Sequence, residues 1–257
     1  MKFSLLEITQ EILNDLDSDF VNDINDTIES QQVAQIVKSC FNEMMSNRNW
    51  PHLKQLIQLE ASGTLSRPTH MRLPIGIKEL SWVRYDKRKD GETRLQYRDV
   101  KYLSPDDFLT LTHNRNLDND NVIMVSDFSA TPVVIFNNIA PNYYTSFDDE
   151  WLVFDSYDSS VDDTLKQSKS QAQVFKEPTW THTNEAIPDL PEEAFAALIE
   201  ESKSTASLSL KQIPNSKAEQ KASRQNRWLS RKAWKAHGGL EYEDYGRASQ
   251  RGRNRTW

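Results

Sequence analysis

Apolar positions recur at helical spacing at both ends of the chain and alternate, strand-like, in its middle. Leu5, Ile8, Ile12 and Leu16 follow one another by three or four positions behind a Ser4-x-x-Glu7 capping box, which predicts a helix ending at Asp15-x-Asp17-x-Asp19. Thr27 opens a second helix with Val33, Ile36, Val37, Cys40, Phe41 and Met44 on one face. It should stop near Asn49, because Pro51 disfavours helical geometry at Trp50. Phe195, Leu198, Ile199, Ser202, Ala206 and Ile213 predict a third helix over 192–213. After Pro214 a Ser216-x-x-Glu219 capping box starts a fourth, which Gly238-Gly239 should end.

Between these helices the texture changes. Leu53–Leu59 alternates in part, Ile77–Tyr85 reads as a strand, and Asp90-Gly91 marks a hairpin turn into Thr93–Tyr97. Ser104-Pro105 begins a short helix reaching His113, and further strands are expected at Val122–Val125, Val133–Phe136, Tyr143–Thr145 and Trp151–Phe154. Two helical hairpins are each too small to be stable alone, so one core built from both is the economical solution. The expected fold is therefore α+β. Residues 1–50 form an N-terminal helical hairpin, 191–236 supply two helices that complete a helical-bundle core, 53–180 are a β-rich insertion, and 238–257 an extended arm.

Charge changes this picture at one end. From Asn215 onward eleven Lys and Arg face four Asp and Glu, a net +7, and since the whole chain carries −7 the first 214 residues carry −14. On a helix turning about 100° per residue, Lys217, Lys221, Arg224, Arg231 and Lys235 fall in one stripe, flanked by Arg227 and Lys232. Ala218, Ala222, Leu229 and Ala233 lie opposite, a small-residue face suited to close packing. Trp228 lies inside the cationic stripe and Trp234 on its flank, and large aromatics on a charged face generally meet a partner. Beyond Gly239 the apolar surface is too small to offset the entropy of ordering the chain, so 240–257 should be disordered alone.

Little in the sequence points to catalysis. The five histidines show no metal-ligand spacing, the chain has only seven glycines, and no phosphate-binding or nucleophile-elbow motif is present. Cys40 is the single cysteine, so an internal disulfide is excluded and a cysteine-based metal site disfavoured; its place on an apolar face marks it as a core residue. Asp15, Asp17, Asp19 and Asp26 occupy positions one, three, five and twelve of a calcium-loop pattern, but Phe20 stands where that loop needs glycine. No catalytic residue, metal site or cofactor is expected, and no apolar run is long enough to span a membrane.

Four stretches carry a family resemblance: Leu5–Ile8 through Asp17–Asp19, Met45–His52, Ser146–Tyr157 and Arg227–Trp234. Together they resemble the head–tail adaptors of short-tailed bacteriophages, the tail tubular protein A-like proteins. The resemblance implies a homo-oligomeric ring, a dodecamer, between the portal protein and the tail nozzle protein. The ring would sit at the head–tail junction of the virion after assembly in the host cytoplasm, with DNA passing through its channel without sequence-specific binding. It further implies that the C-terminal segment grips the portal. The residues expected there are Arg224, Arg227, Trp228, Arg231, Lys232, Trp234 and Lys235 on the helix, then Tyr242, Tyr245, Arg247, Arg251, Arg253, Arg255 and Trp257 on the arm. The alternative is a nucleic-acid-binding protein whose Arg/Lys/Trp-rich terminus grips phosphates and stacks bases.

Overall fold

A computed structural model describes residues 2–89 and 91–235, with side chains as far as Arg231. In chain order the elements are α1 (Leu5–Asp15), α2 (Ile28–Ser46), β1 (Lys54–Ile57), β2 (Glu60–Ala61), β3 (His70–Arg72), β4 (Ile77–Asp86), β5 (Tyr97–Tyr102), α3 (Pro105–His113), β6 (Val122–Ser126), β7 (Pro132–Phe136), β8 (Tyr143–Ser146), β9 (Trp151–Phe154), β10 (Ser170–Lys176), α4 (Phe195–Lys211) and α5 (Ser216–Lys235). The chain divides into two compact units, Met1–His52 with Pro178–Trp257, and Leu53–Glu177.

The first unit is helical, and local chemistry sets most of its helix ends. Ser4 Oγ accepts from the Glu7 N–H at 3.2 Å while the Ser4 N–H donates to Glu7 Oε2 at 2.7 Å, a closed capping box. Thr27 and Ser30 exchange the equivalent pair of bonds at the start of α2. The α2 helix ends at Ser46, a turn before Pro51, and Trp50 donates its indole N–H to the Met44 carbonyl, tying down that end. Leu5, Ile8, Ile12, Val33, Val37, Phe41, Phe195 and Leu198 are wholly or almost wholly buried. Each such side chain contributes about 1.5–3 kcal/mol by leaving water. Cys40 is buried among them as a free thiol, and burial pushes its pKa up. The α4 helix packs against α1, α2 and α5. It begins after a short 3-10 turn at Glu192–Ala194 and ends at Lys211, with Gln212 following in a left-handed conformation.

The second unit is an eight-stranded sheet in the order β1-β10-β4-β5-β8-β9-β3-β2. Its two outermost strands, β1 and β2, are separated in sequence only by Gln58 and Leu59. Both edges thus belong to one bent stretch of chain, and the sheet curls back toward itself. At the bend the Leu59 N–H leaves the ladder and donates to Ser170 Oγ at 2.9 Å. The interior holds Leu59, Met71, Val83, Tyr85, Val100, Tyr144, Leu152, Phe154 and Ala172, contributed by nearly every strand. All strand pairs are antiparallel except β5 with β8. A parallel pair needs a long crossover, and here it contains α3 and the β6–β7 hairpin. Phe108, Val125, Val133, Ile135 and Val153 form a second core between that crossover and the sheet. Because Lys54 pairs with Phe175, the chain enters and leaves this unit at neighbouring positions.

The expectation of a fold centred on a helical bundle is corrected by this sheet. It is the largest element among the described residues and closes a hydrophobic core of its own, so the protein is a mixed α and β structure. The reason lies in strands whose partners are far away in sequence. The segments His70–Arg72 and Ser170–Lys176 complete the sheet, and neither stands out in the sequence as a strand. Two local expectations also change. The second strand of the β4–β5 hairpin starts at Tyr97 rather than Thr93, because the buried Asp86 carboxylate accepts the Arg88 and Gln96 N–H groups and holds a wider loop. In α5, Asn215 is the cap: its Oδ1 accepts from the Ala218 N–H at 3.2 Å, and Ser216 is already helical.

Candidate functional site: the exposed face of α5

The sequence separates α5 into a small-residue face and a cationic face, and the structure buries the first. Ala218, Ala222 and Leu229 are 0–4% exposed, in a helix that packs on α4. With alanine at two of these three positions the backbones can approach closely. Lys221, counted in the cationic stripe, is committed to this packing: its Nζ lies 2.6 Å from Glu200 of α4, and that carboxylate pushes the Lys221 pKa up. Other carboxylates of the unit have similar partners. Lys203 meets Glu11 at 2.8 Å, Lys211 meets Glu29 at 3.2 Å, and Asn215 donates to Asp15 at 3.3 Å.

On the opposite face Arg224, Arg227 and Arg231 are exposed, and no carboxylate among the described residues pairs with them. Trp228 lies between them, 47% exposed. They belong to one strip along the helix that also includes Ser216, Glu219, Gln220 and Ser223. Four of the expected partner-binding residues, Arg224, Arg227, Trp228 and Arg231, are thus brought together on one surface. Lys232, Trp234 and Lys235 continue α5, but their side chains lie outside the described residues, as do Tyr242, Tyr245, Arg247, Arg251, Arg253, Arg255, Trp257 and the whole of the expected arm. The geometry of the strip suits recognition of anionic groups: an arginine fork presents parallel N–H donors that match a carboxylate or a phosphate.

Two further polar clusters lie in the sheet unit, and both are engaged in holding it together. Asp155, 2% exposed, receives the Arg115 guanidinium at 3.0 Å and the Asn142 and Tyr143 N–H groups at 2.9 and 3.0 Å. Arg115 also donates to the carbonyls of Val134 and Asp155 and stacks 4.1 Å from the Phe136 ring centroid. This pair joins β7 to β8 and β9. At the other end of the hairpin, His70 Nε2 meets Asp127 Oδ1 at 3.0 Å, with both side chains buried. The Phe128 ring caps the imidazole edge-on at 5.7 Å, under the Arg67 guanidinium. Burial depresses the His70 pKa despite the Asp127 carboxylate. For Asp127 burial acts upward, but donors from Phe128, His70 and Ser129 outweigh it and hold the carboxyl below its ordinary value. Sequence reading missed both clusters. The available signal was Asp155 directly after the apolar run Trp151–Phe154, where a carboxylate has to be buried and therefore paired.

The acidic pattern at Asp15, Asp17, Asp19 and Asp26 does not converge. Asp26 Oδ2 accepts the N–H groups of Asn22 and Asp23, each at 2.8 Å, and Asp15 is turned to Asn215. Among the described residues no group of three His, Cys, Asp or Glu is arranged to hold a metal ion, and no helix is long and apolar enough to cross a membrane. No protein-family model and no curated protein matches this chain.

Proposed function

We propose that this protein is a structural adaptor that assembles as a ring and docks on an acidic surface of a portal-type ring through α5 and the residues that follow it. The observation that carries this reading is the two-faced character of α5. Its Ala218–Ala222–Leu229 seam is buried, while Arg224, Arg227 and Arg231 are exposed beside Trp228. These arginines have no carboxylate partner among the described residues, and a half-exposed tryptophan set among arginines is the kind of side chain that interfaces enrich. The resemblance of Leu5–Asp19, Met45–His52, Ser146–Tyr157 and Arg227–Trp234 to head–tail adaptors supplies the partner class and the further link to a tail nozzle.

The test is co-sedimentation of the full chain with the portal ring of the same phage, beside a chain lacking residues 238–257 and an Arg224→Ala/Arg227→Ala/Arg231→Ala variant. Both changes are expected to leave thermal melting unchanged and to weaken docking severely. Docking as tight as that of the full chain in both would overturn the reading. The same arginine strip suits phosphate as well as carboxylate, so a DNA titration across a salt series belongs beside it. Steep salt-dependent duplex binding with no portal binding would favour the nucleic-acid reading. The −14 on residues 1–214 works against long-range attraction to a polyanion.

A further inference from the structure

We infer that the α5 strip recognises an acidic helix, with carboxylates on the partner repeating at the same spacing as the arginines. The inference rests on the adaptor reading and specifies the surface that the same face of α5 would meet. Ser216, Gln220, Ser223, Arg224, Arg227 and Arg231 advance by steps that stay on one helical face. At about 1.5 Å per residue the face is roughly 22 Å long, the length over which two helices can lie side by side. Its first half carries Ser216, Gln220 and Ser223 along the middle, with Lys217 on one flank and Glu219 on the other; its second half carries the arginines. The α4-facing seam is already occupied, and the strip lies on the opposite, exposed face.

Two features favour a helix bearing carboxylates over a nucleic-acid strand, since the planar forks of Arg224, Arg227 and Arg231 suit carboxylate and phosphate alike. Their axial separations follow from helix geometry, so a partner helix with acids at i, i+3 and i+7 reproduces them in register. A phosphate backbone curves away and brings a much higher charge density toward a chain that is otherwise acidic. A short acidic helix has few charges to repel.

The test uses the full-length protein and fluorescently labelled peptides of about 20 residues, long enough to hold helical structure when alanine-rich. One peptide carries glutamates in repeating i, i+3, i+7 register; a second has the same composition with glutamates spread around the helix; a DNA duplex of similar length is the third probe. The in-register peptide is expected to bind about tenfold or more tightly than the scrambled one, a difference of roughly 1.4 kcal/mol. An Arg224→Lys/Arg227→Lys/Arg231→Lys variant, which keeps charge and helix propensity, is expected to lose about tenfold of that affinity because the forks are gone. Equal binding of the two peptides, tighter binding of the duplex than of either, or unchanged binding by the lysine variant would each overturn the inference. Portal co-sedimentation that survives such a result would leave the adaptor role standing and remove only the helical partner.

Discussion

His70 shows how a single buried side chain can set a pH response. Its Nε2 faces the Asp127 carboxylate, so Nε2 carries the proton and Nδ1, buried and without a hydrogen-bond partner, is the bare nitrogen. Protonating Nδ1 would place an N–H where no acceptor is available, consistent with the lowered His70 pKa. In the unfolded chain this histidine takes its proton near its ordinary value of 6.5, while the folded chain resists until lower pH. Its contribution to stability is therefore complete above that value and lost as pH falls below it. Asp127 acts in the same direction further down, because its folded pKa lies below the ordinary 3.8 and its contribution disappears as pH falls through that range. The melting temperature is expected to fall between neutral pH and about pH 5, the range below an ordinary histidine pKa. His70→Gln should flatten that slope whatever it does to stability at neutral pH. An identical slope in the two proteins, followed by scanning calorimetry, would show that His70 is not the group responsible.

Among the elements, α5 depends most on a few small residues. Ala222 is completely buried, and the adjoining Ser223 is exposed on the opposite strip. Ala222→Leu adds three carbons to a seam with no space for them and should cost about 1–3 kcal/mol. Ser223→Leu should stay within about 0.5 kcal/mol, as for most surface changes. Urea denaturation of the two variants measures the difference; similar values would mean that α4 and α5 are not closely packed. The helix start is less sensitive to sequence detail than to position. Ser216 and Glu219 have the spacing of a capping box, yet Asn215, equally suited to the cap, is one residue closer to Pro214 and caps the helix instead. The β4–β5 hairpin shows a related effect, since one buried carboxylate, Asp86, sets the width of a loop that Asp90-Gly91 alone would have made tight.

For the whole molecule, the consequential feature is that the sheet unit has its own core and neighbouring ends. Lys54 pairs with Phe175, and residues from nearly every strand fill the interior. A domain of this size can bury enough surface to fold alone. A fragment spanning Leu53–Glu177 is expected to be folded, with a cooperative thermal transition and protected amides in β4, β8, β9 and β10. A fragment lacking dispersed amide resonances and cooperative melting would show that the sheet needs the helical unit.

Local pattern was sufficient for the existence of the helices and for part of the sheet, but not for every helix end. Ile213, expected on the apolar face of a helix over 192–213, lies beyond the end of α4 at Lys211 and is 63% exposed. The apolar periodicity of α1, α2 and α4, the Ser4 and Thr27 caps, the Ser104-Pro105 start of α3 and the division of α5 into a small-residue face and an arginine face are all short-range features, legible within a few turns of chain. Cys40 could be placed in the core for the same reason. What periodicity could not supply was anything whose partner is distant in sequence. His70–Arg72 is a strand because Val153 and Leu152 lie beside it, and Ser170–Lys176 because β1 and β4 flank it. The dominance of the sheet rests on such distant pairings, and the Arg115–Asp155 and His70–Asp127 pairs join residues 40 and 57 positions apart. Side-chain spacing along the chain reports which face of an element is apolar. Which other element covers that face, and which buried charge answers another, is decided only when the tertiary structure brings them together.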